Sequence, residues 1–463
     1  KDLACFGSPV YETPHLDALA AAGRRYTAAY SAAANCAPSR ASLMTGLCTR
    51  RHGILTVGSS ERGKAATRRC IPLPNREELD EGFRTLPQRL ADLGYATAHV
   101  GKWHISGDPC RHGFGSNVAG CHQGHPKSYF APYRNPALAD GPDGEYRPER
   151  LAQEAGDRID ALASTGKPWF LYYATYLVHT PLQGKDEAIA RAMARLAGLA
   201  DPQGQANPVY AAMVAALDQA VGTVLARLAA SGQADNTLVI FTSDNGGIRA
   251  ISEQTPLRGG KGSSYEGGIR VPTILRWPGR IAPGTTCATP VTQMDLLPTL
   301  VGLAGGEAAD VDGADIATTF TGPGDPALRD RGLLWDFPVY LEAYDVHRDD
   351  GRDPLFRTRP GAVWREGRWK LHWFAEDDRC ELYDLEADLG ERHDRAGAEP
   401  DRVVRMRAAL ATRLRDLGGD LRLEPNPAFD PAVEAGLLAG LSRAPAPAST
   451  TEADWYRALR FID

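Results

Sequence analysis

A cysteine begins the first segment of the chain that could do chemistry. In NCAPSRASLMTG, residues 35–46, Cys36 stands shortly before Pro38 and Arg40. Pro38 suits the first position of a helix and Gly46 suits its end, so Cys36 is expected at the positive N-terminal end of a short helix. Arg40 follows one helical turn later and can reach the same spot. Together they predict an anion site, although Cys36 taken alone is equally well explained as a buried packing residue.

A lysine and a histidine follow the next strand-like run. In HVGKWHISG, Lys102 and His104 stand two residues apart, so on an extended segment both side chains point to one side. A cation and a titratable base would then face the same ligand. His104 alone is more often structural than catalytic, but Lys-x-His directly after a buried strand is less easily explained by packing. Trp103 points the other way and is predicted to lie in the core.

Three further polar segments have similar positions. His179 ends a strand-like run in YLVHTPLQG, before a proline that favours an extended turn. Asp244 and Asn245, in TSDNGG, offer oxygen ligands that suit calcium or magnesium, although DNGG alone is more often a simple turn. Arg258 and Lys261, in TPLRGGKG, bring cations to a glycine-rich loop, which could also be a solvated basic loop. The combined chemistry of these segments predicts hydrolysis of a charged ester.

An α/β fold would bring these residues together. Short apolar runs alternate with helical patterns, which is typical of a large, mostly parallel sheet with helices on both faces. Such sheets bind ligands outside the carboxyl ends of their strands, where the polar segments lie. The sequence predicts strands at residues 96–100, 169–177, 237–243 and 271–277, and helices at 86–93, 148–163 and 208–230.

The C-terminal part of the chain has a different pattern. After a helix-like segment at residues 292–305, the sequence predicts antiparallel strands within 362–374 and 379–385 and an amphipathic helix at 399–417. We therefore predict a catalytic domain at residues 1–340 and a smaller α+β domain with an antiparallel sheet at 341–463. The stretch APAPAST, residues 444–450, is typical of a mobile linker.

Composition excludes several classes of function. The chain has 463 residues, 43% of them hydrophobic, and a net charge of -6, so it can bury a large core and has no basic field for nucleic acid. No run of about twenty apolar residues was found, so no membrane span is predicted. The eight cysteines have no zinc-like spacing. Disulfides between Cys110 and Cys121, or between Cys48 and Cys70, remain open alternatives.

The order of the motifs resembles that of type I sulfatases of the alkaline phosphatase superfamily. CAPSRASLMTG fits the cysteine signature of that family, and GYATAHVGKWHISG fits its second signature. DNGG, TPLRGGKG, YEGGIRVP and WREGRWKL then follow in the family order. The resemblance extends from Asp2 to about Leu417 and implies an alkaline phosphatase-like catalytic domain.

The resemblance implies a role for each candidate residue. A formylglycine-generating maturation enzyme would oxidise Cys36 to formylglycine, whose hydrated aldehyde is the nucleophile and a metal ligand. Asp244 and Asn245 would bind calcium, or alternatively magnesium. Arg40 and Lys102 would hold the hydrated aldehyde and the charge near the metal. His104 would take the proton when sulfate is eliminated. His179 and Lys261 would bind the sulfate and assist the leaving oxygen.

One departure from the family pattern concerns the metal. The family has an Asp-Asp pair upstream of the stretch that Lys1, Asp2 and Leu3 match, and this sequence lacks it. Asp2 aligns with a later aspartate and is not expected to replace the pair. We therefore expect that the chain begins after the true N-terminus and binds calcium weakly. Family resemblance also implies a periplasmic or secreted protein, but no signal peptide is present in this sequence.

Three alternatives to a sulfatase remain. Relatives with the same cysteine motif act on phosphorus, so the chain could be a phosphonate or phosphodiester hydrolase. It could also be an inactive sulfatase-like protein that binds sulfated glycans, whereas a two-zinc phosphatase would need more His and Asp ligands. The motifs do not specify which sulfate ester is cleaved. The best candidate for substrate selection is the loop at residues 113–130, with His122, His125 and Lys127, which is equally well explained as structural.

Overall fold

The computed structural model describes residues 1–443, so the predicted linker at 444–450 lies outside the described residues. Its strands are β1 (Arg24–Tyr26), β2 (Ala29–Tyr30), β3 (Ala96–Gly101), β4 (Ser116–Val118), β5 (Trp169–Ala174), β6 (Val239–Thr242), β7 (Thr273–Arg276), β8 (Thr285–Cys287), β9 (Val291–Thr292), β10 (Gly332–Phe337), β11 (Leu341–Glu342), β12 (Phe356–Thr358), β13 (Gly361–Glu366), β14 (Trp369–Phe374) and β15 (Cys380–Asp384).

The α-helices lie between these strands. They are α1 (Pro14–Ala21), α2 (Cys36–Thr45), α3 (Thr49–His52), α4 (Leu86–Asp92), α5 (Arg147–Ala163), α6 (Asp186–Ala197), α7 (Pro208–Ala230), α8 (Glu266–Ile269), α9 (Leu296–Leu303), α10 (Pro326–Asp330), α11 (Pro400–Asp416) and α12 (Pro431–Arg443). Short 3-10 turns complete the connections. The strands and helices predicted from the sequence are all present, with ends shifted by a few residues.

The N-terminal part is an α/β structure with two main sheets. One sheet, in the order β4-β3-β5, is entirely parallel. The other, in the order β6-β7-β1-β8, is mixed, because β7 runs antiparallel to both β6 and β1 while β8 is parallel to β1. The predicted α/β class is confirmed, and the strands of the two sheets supply the rim on which the candidate residues lie.

Apolar side chains join the helix of the cysteine motif to the parallel sheet. Ala41 and Met44 of α2 are completely buried in one cluster with Trp103, as predicted for that tryptophan. Phe170 and Tyr172 of β5 pack against the same cluster. Burial of these aromatic rings contributes about 2 kcal/mol each to stability, which fixes α2 firmly over the end of the sheet.

The C-terminal sheet is antiparallel, in the order β10-β13-β14-β15. Strands β14 and β15 pair across the acidic turn, as predicted, and α11 packs on β13 and β14. The sheet begins at Gly332, before the boundary predicted at residue 340, because β10 pairs along its whole length with β13. The sequence of β10 is apolar and aromatic, which predicts a strand but does not indicate which sheet the strand joins.

Helix α7 is more apolar than expected, since no run of membrane-spanning length is predicted there. Within residues 1–443 it is the one helix long and apolar enough, by length and composition alone, to cross a membrane. It packs against α1, α5 and α6, and the buried carboxylate of Asp218 accepts backbone N–H bonds from His15 and Leu16 of α1. The buried carboxylate therefore anchors α7 to the N-terminal end of α1.

The cysteines do not form the disulfides left open by the sequence. All eight are free thiols, including Cys48, Cys70, Cys110 and Cys121. Cys48 lies at the start of α3 beside Asp312, and Cys70 lies near Ala375 of the C-terminal unit, so each packs in its own surroundings.

Candidate active site

Cys36 is the first residue of α2 and is 2% exposed. The helix thus begins two residues before Pro38, the predicted first position. Pro38 lies in the first turn, where backbone N–H groups have no intrahelical partner, so its missing N–H costs no hydrogen bond. Burial alone would raise the pKa of the Cys36 thiol. The positive charges of Lys102 and Lys261, together with a hydrogen bond from His104 and the charge of its imidazole when protonated, outweigh burial and hold this pKa well below its usual value. The site therefore favours an anion at this position.

Arg40 connects the cysteine helix to the ends of two strands. Its Nε donates to Oδ2 of Asp244 at 2.7 Å, and its Nη1 donates to the carbonyl oxygen of Lys102 at 2.7 Å. Lys102 Nζ lies 3.7 Å from the same Asp244 oxygen. Burial opposes the charge on Asp244, but Arg40 and Lys102 outweigh it and lower the pKa of this carboxyl. Asp244 is therefore an ionised carboxylate held between two cations.

His104 reaches the cysteine through an unusual backbone. Its φ is +70°, which is rare for a residue with a side chain and turns the imidazole toward Cys36. Its backbone N–H donates to the carbonyl of Cys121 at 2.9 Å, and its Nδ1 is buried without a hydrogen-bond partner in the described part of the chain. Burial lowers the pKa of His104, with the charges of Lys102 and Arg40 acting in the same direction. A neutral imidazole can accept a proton from a group at Cys36.

Lys261 and His179 form the second cationic part of the site. Lys261 Nζ donates to His179 Nε2 at 3.0 Å, and His179 Nδ1 lies 3.1 Å from the carbonyl oxygen of Thr180. Burial lowers the pKa of His179 well below its usual value, and the charges of Lys261 and Lys102 lower it further. Lys261 is held by its backbone N–H, which donates to the Gly247 carbonyl at 2.8 Å. His179 is therefore a neutral ring that accepts a hydrogen bond from an ammonium group.

The glycine-rich loop divides its two predicted cations. Lys261 faces the site, but Arg258 turns toward the C-terminal sheet, where it donates to the Tyr383 hydroxyl at 3.0 Å and stacks over Tyr265 at 3.9 Å. The sequence predicts both cations at the ligand. Arg258 instead points away from it, because Glu381 and Tyr383 of the C-terminal sheet and the nearby ring of Tyr265 are its partners.

Asp244 and Asn245 are the predicted metal ligands. The side-chain oxygen of Asn245 is buried and has no hydrogen-bond partner in the described residues, while its amide donates to the Gly246 carbonyl at 2.8 Å. A carboxylate and an orphaned amide oxygen fit a hard cation in kind, but calcium takes six to eight oxygen ligands. Asp2 is occupied elsewhere, accepting hydrogen bonds from Tyr210 and Ser252 at 2.7 and 2.8 Å.

No larger metal cluster accompanies this pair. Among residues 1–443, no group of three or more His, Cys, Asp or Glu side chains is arranged to hold a metal ion. Within the described residues, Asp244 and Asn245 could offer two of the oxygen ligands that calcium needs, whereas Asp2 is hydrogen-bonded elsewhere. The described residues give no support to the alternative of a two-zinc phosphatase, which needs several His and Asp ligands on each ion.

The structure brings the predicted site residues together except Arg258, and adds two residues that the sequence did not indicate. Gln293 accepts from Ser39 at 2.5 Å and donates to the Ser243 carbonyl at 2.6 Å, so it connects α2 to the strand end that carries Asp244. Thr180 fixes the imidazole of His179. Gln293 lies in the helix-like segment 292–305, where its polar side chain among apolar neighbours was the available signal.

Comparison with known families agrees with the arrangement of the site. The profile of the family described as Sulfatase matches residues 1–306, and that described as N-sulphoglucosamine sulphohydrolase, C-terminal, matches residues 260–418. Arylsulfatase A of Homo sapiens is 31% identical over 468 aligned positions, covering 86% of this chain and 82% of the human protein. N-acetylgalactosamine-6-sulfatase of Mus musculus is 32% identical over 73% of this chain, and the chain spans 65% of that relative's length.

Solved structures show the same fold. The crystal structure of Ps i-CgsB in complex with k-i-k-neocarrahexaose superposes with a TM-score of 0.71, at 26% identity, over 96% of this chain and 95% of that one. The match includes both the N-terminal α/β part and the C-terminal antiparallel sheet. Since the Sulfatase profile covers more than half of the residues and the human relative most of the chain, this protein belongs to the sulfatase family and has its alkaline phosphatase-like fold.

Proposed function

We propose that this protein hydrolyses sulfate monoesters, and that its substrates are sulfated carbohydrates or aryl sulfates. The observation that carries the proposal is the position of Cys36 at the N-terminus of α2, surrounded by Arg40, Lys102, His104 and Lys261. A sulfate monoester carries one negative charge, and its leaving oxygen gains charge as the ester bond breaks. Preorganised cations around the nucleophile stabilise that charge.

Cys36 is the residue that we propose to be converted to formylglycine. The hydrated aldehyde would supply an oxygen nucleophile where the free protein has a buried thiol, and a formylglycine-generating maturation enzyme is the partner that this requires. His104, neutral and hydrogen-bonded to Cys36, would take the proton that must leave for sulfate to be released. Export to the periplasm or the medium is part of the same proposal, as the family resemblance suggests.

The leaving alcohol is assigned to the side of His179 and Lys261. Their 3.0 Å hydrogen bond joins an ammonium group to a neutral imidazole, so a proton is available beside the sulfuryl group. Lys102 and Lys261 would contact the sulfuryl oxygens from two directions. Each of these residues is nearly buried, with Lys102 3% and Lys261 8% exposed, so their charges act with little screening by water.

Calcium is the metal that we propose for the site, with magnesium as the alternative. Asp244 and the orphaned oxygen of Asn245 would hold it, and the ion would supply Lewis-acid stabilisation of charge on oxygen. Replacing Asn245 by leucine keeps the side-chain size and removes this oxygen. Calorimetric titration should then give calcium affinity about tenfold weaker than in the unchanged protein. Equal affinities would remove Asn245 from the metal site.

The substrate class is inferred from named relatives. An N-acetylgalactosamine-6-sulfatase and an arylsulfatase A are among the similar proteins, and the Ps i-CgsB structure holds a neocarrahexaose oligosaccharide. These names favour a sulfated sugar over other esters. The test is to produce the protein with and without a formylglycine-generating enzyme and to assay 4-nitrophenyl sulfate, a panel of sulfated monosaccharides, and bis(4-nitrophenyl) phosphate.

Each outcome of this assay has a defined meaning. We expect sulfate release only from the matured protein, and none from Cys36→Ala. Faster cleavage of the phosphate diester than of every sulfate ester would favour the phosphodiester hydrolase. Conversion of Cys36 without any turnover would favour the inactive glycan-binding protein, which binding to sulfated saccharides would then detect.

A further inference from the structure

One loop connects the two histidines of the site. Residues 121–129, called the histidine loop below, begin where the Cys121 carbonyl accepts the His104 backbone N–H at 2.9 Å. They end where the hydroxyl of Tyr129 donates to the His179 carbonyl at 2.8 Å. Tyr129 is fully buried, so this end of the loop is firmly held. The histidine loop is thus attached to the backbone of both residues.

The middle of the histidine loop contacts both imidazole rings. The ring of His125 lies nearly parallel to that of His179, with centroids 5.7 Å apart and an interplanar angle of 14°. Its neighbour Gly124 lies against His104, so closely that a Cβ atom there would be 2.3 Å from Nε2 and Cε1 of the imidazole. Two consecutive residues therefore restrict the two rings that the proposed reaction needs.

The hydrogen bonds of His179 hold its ring only by the edges. Lys261 Nζ, 3.0 Å from Nε2, can only donate, so Nε2 is the acceptor and Nδ1 of the neutral ring carries the hydrogen. Nδ1 lies 3.1 Å from the carbonyl oxygen of Thr180 and 3.2 Å from its hydroxyl, and either oxygen can accept this hydrogen. Both bonds depend on the plane and on the flip state of the ring. A ring stacked on one face adds the contact that resists rotation out of this plane.

We propose that His125 is a positioning residue for sulfate-ester cleavage: its stacked ring holds His179 in the orientation that keeps Nε2 on Lys261. The inference rests on the proposed function. In that reaction an oxygen of the hydrated aldehyde proposed at residue 36 forms a bond to sulfur while the bond between sulfur and the leaving oxygen breaks. The electron pair of the broken bond stays on the leaving oxygen, which takes a proton from the Lys261–His179 pair. A displaced His179 ring would leave Lys261 without its partner and misplace that proton.

The dependence on the leaving group provides the test. 4-Nitrophenolate is stable as an anion and needs little protonation, whereas phenolate is more basic and needs it more. We therefore expect His125→Ala to lower kcat/KM for phenyl sulfate by about 10²-fold and to change that for 4-nitrophenyl sulfate much less. His125→Phe keeps a flat ring in the stack and should restore most of the loss.

A matched control is a histidine outside the site. The side chain of His393 is 82% exposed, and its Nδ1 lies 3.5 Å from Asp388 in the C-terminal part of the chain. His393→Ala should cleave both aryl sulfates at the wild-type rates. A loss in His125→Phe as large as that in His125→Ala, or equal losses for both aryl sulfates, would overturn the positioning role of the stacked ring.

A second measurement does not depend on turnover. ¹⁵N spectra of histidine-labelled protein without maturation report which ring nitrogen of His179 carries hydrogen. We expect a single Nδ1–H form in the wild type and in His125→Phe, and a mixture of forms in His125→Ala. An unchanged single form in His125→Ala would overturn the inference. Failure of the matured wild type to cleave either ester would instead count against the proposed function.

Discussion

Arg40 and Lys102 share one carboxylate oxygen of Asp244, at 2.7 and 3.7 Å. The same guanidinium also binds the Lys102 backbone carbonyl, so Arg40 connects the cysteine helix to the ends of β3 and β6. Removing one partner of a buried ion pair leaves an uncompensated charge. Arg40 therefore both holds the site together and balances the charge of Asp244.

Arg40→Ala should reduce both stability and activity. We expect the free energy of unfolding in urea to fall by about 3 kcal/mol, because Asp244 loses its main partner. Activity of the matured variant should fall by about 10²-fold or more. Arg40→Lys keeps the charge but cannot donate to both acceptors as the guanidinium does, so it should restore only part of the stability that Arg40→Ala loses. A stability loss below about 0.5 kcal/mol in Arg40→Ala would contradict this account.

Gly101 allows β3 to approach β5 directly before Lys102. Its φ is +105°, and a Cβ there would lie 2.0 Å from the Ala174 carbonyl oxygen, the acceptor of the Lys102 backbone N–H. Gly94 also has a positive φ, of +88°, but has open space around it. Gly94→Ala should therefore cost about 1 kcal/mol of backbone strain, and Gly101→Ala about 2 kcal/mol more. Equal losses in thermal unfolding would show that the close contact is unimportant.

Lys370 joins the C-terminal sheet to the segment after the Lys261 loop. Its ammonium lies 3.0 Å from carboxylate oxygens of both Glu266 and Glu391, and all three side chains are fully buried. Lys370→Met should lower the free energy of unfolding by about 3–5 kcal/mol, since two buried carboxylates lose a cation. Arg368→Ala is the control, because the Arg368 side chain is 43% exposed and lies in the turn before β14. This change should lower the free energy of unfolding by under about 1 kcal/mol. Similar losses in both variants would refute the role of Lys370.

His99 makes stability depend on pH below neutrality. Burial lowers the pKa of His99 from 6.5 to about 3, so the folded protein keeps this ring neutral while the unfolded chain protonates it. The unfolded state then binds more protons, and stability falls as the pH drops from about 6.5 toward 3. His99→Gln should reduce the slope of unfolding free energy against pH between 6 and 4 by about 1.4 kcal/mol per unit. The exposed His347→Asn serves as control, and an unchanged slope in His99→Gln would contradict the assignment.

Local patterns were enough to predict much of this molecule. Lys102 and His104 follow β3 and Asp244 follows β6, the strand ends that the apolar runs predict, and strand ends converge on one rim of an α/β sheet. Cys36 and Arg40 followed from helix periodicity. The six candidate catalytic residues and both oxygen ligands lie together, although their roles stay predictions until they are tested.

Long-range contacts account for what the sequence did not reveal. Arg258 points away from the site because Tyr383 and Glu381 of the C-terminal sheet, distant in sequence, bind it. Gln293 joins two site elements that lie far apart along the chain. The stack of His125 on His179 likewise depends on a loop conformation that no periodic pattern specifies.

The most direct test of the central claim is the chemical state of Cys36 combined with sulfate release. The protein should be produced with a formylglycine-generating enzyme, the peptide that contains residue 36 analysed by mass spectrometry, and sulfate released from 4-nitrophenyl sulfate and the sulfated sugar panel measured on the same sample. We predict that the rate of sulfate release rises in proportion to the fraction of Cys36 converted and is absent in Cys36→Ala. Release by unconverted protein at the same rate, or none from fully converted protein, would contradict the claim.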